Sequence, residues 1–82
     1  MRIIGEIPNQ EMKITIFYMN QKYLLKFEKN GLEQTYKISE FDYTVQSVED
    51  IKKIATEVLI HRVLIIFAEM QKLLSEALID YC

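Results

Sequence analysis

Apolar positions change their period part-way along the chain, and the change divides it into two kinds of element. Over residues 12–38 apolar and polar side chains alternate in three runs, the signature of half-buried strands. Lys29-Asn30-Gly31-Leu32 sets Asn-Gly between two of the runs, the pair a two-residue type I′ turn demands because both central residues take positive φ. Asn20-Gln21 occupies the equivalent place between residues 14–18 and 23–27. The pattern predicts strands over 12–19, 22–29 and 32–38. With two-residue loops, Ile14 falls opposite Phe27, Ile16 opposite Leu25 and Tyr18 opposite Tyr23; across the second hairpin, Phe27 meets Gln34, Leu25 meets Tyr36 and Tyr23 meets Ile38. Two turns read independently thus place one apolar set on one face. A slip of one residue would turn each strand over, so the agreement supports the register.

The reverse face carries Lys13, Thr15, Lys26, Glu28, Glu33, Thr35 and Lys37, as expected of an antiparallel sheet packed on one side. It also carries Phe17 opposite Leu24, with Met19 nearby. These three form either a cross-strand pair shielded by lysine stems or a patch for a protein partner. In residues 1–10, Ile3, Ile4 and Ile7 add an edge strand or cover one, and Pro8 confines any such strand to an edge. Phe41 and Tyr43 are available to close the end of the core.

From Ser47 the period becomes helical. Ser47-Val-Glu-Asp50 is a capping-box-like start, and no Gly or Pro follows it. A helix from 48 to about 80 would be roughly 50 Å long, whereas strands of this length span roughly 23 Å. The helix must therefore break, with Thr56 as a second N-cap, or its far half must pack elsewhere. Ile51, Ile54, Ala55 and Val58 form a stripe suited to the sheet. Beyond them two seams run side by side: Leu59, Val63, Ile66, Met70, Leu73 and Ala77, assigned to the sheet, and Ile60, Leu64, Phe67, Gln71, Leu74, Leu78 and Tyr81. A band this wide needs two packing partners. The second seam is expected to be a homodimer interface, the alternative being a helix folded back at 56–61 to cover itself. The predicted architecture is α+β: a three-stranded antiparallel β-meander packed on a long or kinked C-terminal helix (βββα or βββαα), one domain over 1–82 with the meander and linker in 1–46 and the helical part in 47–82.

Composition narrows the function classes. The chain has 82 residues, half of them apolar, and a net charge of -2, so it offers no broad attraction to phosphate backbones or anionic lipid. The most apolar stretch, VLIHRVLIIF over 58–67, is split by His61 and Arg62 and falls short of the roughly 18 residues of a membrane span. The N-terminal apolar run is too short for a secretory signal, and the single cysteine, Cys82, permits no internal disulfide. A cytoplasmic protein is expected.

Chemistry is sparse. His61 is the only histidine and falls on the polar side of the helix with Arg62, Glu69, Lys72 and Glu76. No glycine-rich phosphate loop, nucleophile elbow or metal-binding motif occurs. Glu28 with Glu33, and Glu49 with Asp50, are carboxylate neighbours without a predicted pocket. The expectation is a non-enzymatic interaction or adaptor module with no cofactor and no metal.

Two resemblances bear on this. Three antiparallel strands followed by Ile51-Lys52-Lys53-Ile54-Ala55 resemble the later part of a double-stranded RNA-binding domain, which implies phosphate contacts by Lys52 and Lys53 and makes RNA binding the alternative function. The chain departs from that family: it leaves no room for a leading helix, sets Glu49 and Asp50 beside the lysines, and runs far past the closing helix. GEIP near the start, then KITIF, KYLLKFE, LEQTYK and a long helix, is similar to short bacterial proteins of unassigned function. That likeness implies a stand-alone small protein and assigns no site.

Overall fold

Turn chemistry sets the sheet. Asn30 and Gly31 have φ of 51° and 79°, and Asn20 and Gln21 have 51° and 63°, so both two-residue loops take the positive-φ pair of a type I′ turn. The computed structural model describes residues 1–81; Cys82 lies outside the described residues. Strands β1 (Arg2–Ile7), β2 (Lys13–Met19), β3 (Lys22–Lys29) and β4 (Leu32–Ser39) are followed by helices α1 (Val48–Ile54) and α2 (Glu57–Tyr81). The strands form one antiparallel sheet in the order β1-β2-β3-β4. Every cross-strand pair expected from the two turns is present, from Ile14 opposite Phe27 to Tyr23 opposite Ile38.

The sheet has four strands, not three. β1 pairs with β2, and its register shifts between Ile3 and Gly5. The bulge explains why alternation hides this strand: Ile3 pairs with Phe17 on the outer face, while Ile4 and Ile7 pack against the core. β1 ends just before Pro8, as an edge strand should.

Helix α1 opens on Ser47, whose Oγ accepts from the Asp50 N–H at 3.4 Å, while an Asp50 carboxylate oxygen accepts from the Gln46 N–H at 2.9 Å. The helical half then breaks. Ala55 has φ -79° and ψ 66°, and the Thr56 N–H donates to the Ile54 carbonyl at 2.8 Å, an inverse γ-turn. Thr56 starts the second helix: its Oγ1 accepts from the Leu59 N–H at 3.2 Å and its carbonyl from the Ile60 N–H at 2.9 Å.

The break re-aims the apolar faces. Of the stripe Ile51, Ile54, Ala55 and Val58, only Ile51 is buried, and Ile54 and Val58 are exposed, because the helical period does not carry through Ala55. The core joins Met12, Ile14, Ile16, Tyr23, Leu25 and Phe27 of the sheet region to Val45, Ile51, Val63 and Phe67. Val45 closes the end of the core; Phe41 and Tyr43, expected there, are exposed. Among the described residues no helix is long and apolar enough to cross a membrane.

Candidate functional site

Helix α2 presents more apolar surface than the sheet covers. It buries Val63 at 1% exposure and Phe67 at 3%, with Leu59, Ile60, Leu64 and Met70 half-buried beside them. The two seams are thus not divided between sheet and partner. Adjacent seams lie about 100° apart on a helix of 3.6 residues per turn, and the sheet takes the middle of the combined band. Of the residues expected at a homodimer interface, Phe67 belongs instead to the chain's own core and Ile60 and Leu64 are half-buried against it, while Ile66, expected on the sheet, is exposed.

What separates covered from uncovered positions is distance along the axis. Every residue from Gln71 to Tyr81 is exposed. Leu74 at 44% and Leu78 at 50% continue the stripe of Val63 and Phe67 at helical spacing, and Tyr81 lies in line with them. Near its start α2 shares a hollow with the β1–β2 loop, Ile60 and His61 facing Pro8 to Glu11. A turn or two later Leu64, Phe67 and Gln71 line a smaller one with Asn30 and Leu32 at the β3–β4 turn. The last ten residues run out past that turn, and the molecule is 47 Å in its longest dimension.

One polar lock fixes α2 on β4. Gln34 occupies an inward position and is buried; its Nε2 donates to the Val63 carbonyl at 3.1 Å, and the Tyr36 hydroxyl donates to its Oε1. Tyr36 sits edge-on to Phe27 with ring centroids 6.1 Å apart. Placed on the edge strand, it remains 41% exposed. The sequence marks Gln34 only as a polar interruption of an apolar face.

The outer-face trio is only partly available. Leu24 is 7% exposed, Phe17 is half-buried with the Lys26 ammonium 5.9 Å from its ring centroid, and Met19 is exposed. Leu24 is therefore corrected from contact patch to packed neighbour. Ile3, opposite Phe17, is exposed in its place. Lys26 also pairs with Glu33 at 3.0 Å and Glu28 at 4.0 Å; hydrogen bonding to Glu33 raises its pKa above the ordinary value.

Next to the Phe17–Leu24 pair and on the inner face, Tyr18 and Tyr23 meet edge-on at 5.0 Å. Hydrogen bonding to the Glu40 carboxylate, then desolvation, pushes the Tyr18 hydroxyl pKa up; for Tyr23 desolvation comes first, then the negative charge of Glu40. Lys52 and Lys53 are both exposed on α1, and Lys52 lies 3.8 Å from Glu49. His61 is exposed, and among the described residues no group of three His, Cys, Asp or Glu side chains gathers as a metal site.

The architecture defines an α+β domain with a four-stranded antiparallel meander backed by two helices. No family model, curated protein or solved structure matches the chain.

Proposed function

We propose that the chain is a non-catalytic interaction module that works as a homodimer, with the far half of α2 as its principal contact. The observation that carries this reading is the run of Leu74 and Leu78 in line with buried Val63 and Phe67, yet about half exposed. Burying the half of each side chain that remains in water would contribute about 1 kcal/mol apiece, a sizeable part of a small domain's stability. A second copy is the economical cover, because a two-fold axis lets one stripe meet itself. We take the setting to be the cytoplasm, where a single cysteine fits. The likeness to short bacterial proteins of unassigned function is in keeping with a module that stands alone.

The test is light scattering across a concentration series. Wild-type protein should pass from 9.8 kDa to twice that mass, and the pair Leu74→Asp with Leu78→Asp should remain at the lower mass with an unchanged far-UV spectrum. Wild-type protein that stays at the lower mass throughout overturns the reading.

A further inference from the structure

The sheet has two edges, and they differ. β1 carries a bulge and stops before Pro8, both devices that discourage another strand from pairing. β4 has eight residues, no glycine, no proline and an unbroken register with β3. It is the edge fit for addition.

The hairpin geometry says which of its backbone groups are free. In a two-residue type I′ hairpin the residues flanking the turn form a hydrogen-bonded pair, and such pairs recur at every second position. Leu32, Gln34, Tyr36 and Ile38 therefore turn their N–H and C=O groups to β3, while Glu33, Thr35 and Lys37 turn theirs outward. Two observed bonds agree with this alternation: the Glu40 N–H donates inward to the Gln21 carbonyl at 3.1 Å, and the outward carbonyl of Ser39 accepts from the Tyr43 N–H at 3.2 Å. The chain's own linker thus takes the end of the edge at Ser39.

We propose that the β4 edges of two copies pair antiparallel about a two-fold axis through Thr35, joining the two sheets into one. Only registers that set outward residues against outward residues can form the ladder. With Thr35 opposite the partner's Thr35, Glu33 meets the partner's Lys37 and Lys37 meets the partner's Glu33. Moving the axis by one residue either way sets no opposite charges against each other, and moving it by two brings Glu33 against Glu33 or Lys37 against Lys37. Like charges directly opposite destabilise a sheet, whereas opposite charges stabilise it.

The other face supports the same register. It sets the partner's Leu32 beside Ile38, where Tyr36, Ile38, Tyr43, Val45 and Ile54 line a groove of about 340 Å³. Ile54 and Tyr43 are exposed there, and the partner's Leu32, half-buried on its own core, would border that groove. This rests on the homodimer reading but moves its dyad: an axis through Thr35 sets the two β3–β4 turns, and the far halves of α2 beyond them, at opposite ends, so the strand edge stands in place of the helix stripe as the contact within one dimer.

The test combines charge exchange with cross-linking. Glu33→Lys and Lys37→Glu should each weaken the dimer about tenfold or more, and mixing the two variants should restore it, because every cross-strand pair is then opposite in sign. Glu33→Lys also removes the ion pair with Lys26, so far-UV spectra check the fold of that variant alone and in the mixture; Lys37→Glu leaves the pair intact. In a Cys82→Ser background, Thr35→Cys should form a dimeric disulfide on mild oxidation, since a hydrogen-bonded antiparallel pair has Cα atoms about 5.5 Å apart, within disulfide reach. Glu28→Cys on interior strand β3 should not. A wild-type dimer whose affinity ignores both charge variants, with Thr35→Cys uncross-linked, overturns the strand pairing and leaves the helix contact standing. A wild-type protein that remains a monomer overturns both.

Discussion

Gly5 carries no side chain because there is no room for one. A Cβ at that position would lie 2.8 Å from Val48 Cγ2 at the start of α1, so the glycine is what lets the first helix close on the edge strand. Gly5→Ala should cost about 1–3 kcal/mol in urea unfolding, the usual penalty for overpacking. Combining it with Val48→Ala should recover part of that loss, which a purely conformational effect of glycine would not allow. Gln34 belongs to the same scale: as the buried polar residue that joins Tyr36 to the Val63 carbonyl, it locates the helix over β4. The tyrosine pair gives a pH signature. The pKa values of Tyr18 and Tyr23 are raised above their ordinary 10.0, so the folded state holds these protons more tightly than the unfolded chain. Their contribution to stability is complete below pH 10.0 and is lost as pH rises through the raised values, and raised Lys26 acts in the same direction. Thermal melts should weaken progressively in that alkaline window. The 295 nm absorbance change that disappears in Tyr18→Phe should lie above pH 10.0.

Among the elements, the break at Ala55 matters most. It turns one helical stretch into α1, which seats Ile51 in the core, and α2, which starts afresh on Thr56. Thr56→Ala removes the Oγ1 acceptor and should cost about 1 kcal/mol, seen as a lower midpoint in thermal unfolding and fraying at the start of α2 by hydrogen exchange. The Ser47 cap, both turns and the pairing of β2, β3 and β4 are legible in the sequence because each is written in a few adjacent residues, whereas Thr56 is legible only as a candidate cap. β1 was ambiguous because its bulge destroys the alternation by which a strand is recognised. The division of the α2 seams is not legible for a different reason: periodicity states how wide an apolar band is, but the position of the supporting sheet beneath it is a tertiary fact.

For the whole molecule, the governing quantity is length. α2 has 25 residues, about 37 Å at 1.5 Å per residue, and only its first half, up to Met70, has buried or half-buried side chains. The excess emerges as Leu74, Leu78 and Tyr81, and it gives the two halves of the helix different sensitivities. Phe67→Asp places an unpaired charge in the core, a penalty comparable with the stability of a small domain, and should abolish the cooperative unfolding transition. Leu74→Asp, on the exposed half, should leave that transition intact at protein concentrations where the wild type is monomeric.

Sequence by itself determined the α+β class, the two two-residue turns, the residue-by-residue register of three strands and Thr56 as the place where a break would fall, because turns, caps and alternation are short-range and carry their own stereochemistry. Only the tertiary structure decided that residues 2–7 complete the sheet, that Gln34 reaches the Val63 carbonyl, that Leu24 is packed, and that Phe67 belongs to the chain's own core while Leu74 and Leu78 remain uncovered. Each of these depends on where one element lies over another, and burial is a property of that placement, not of the side chain.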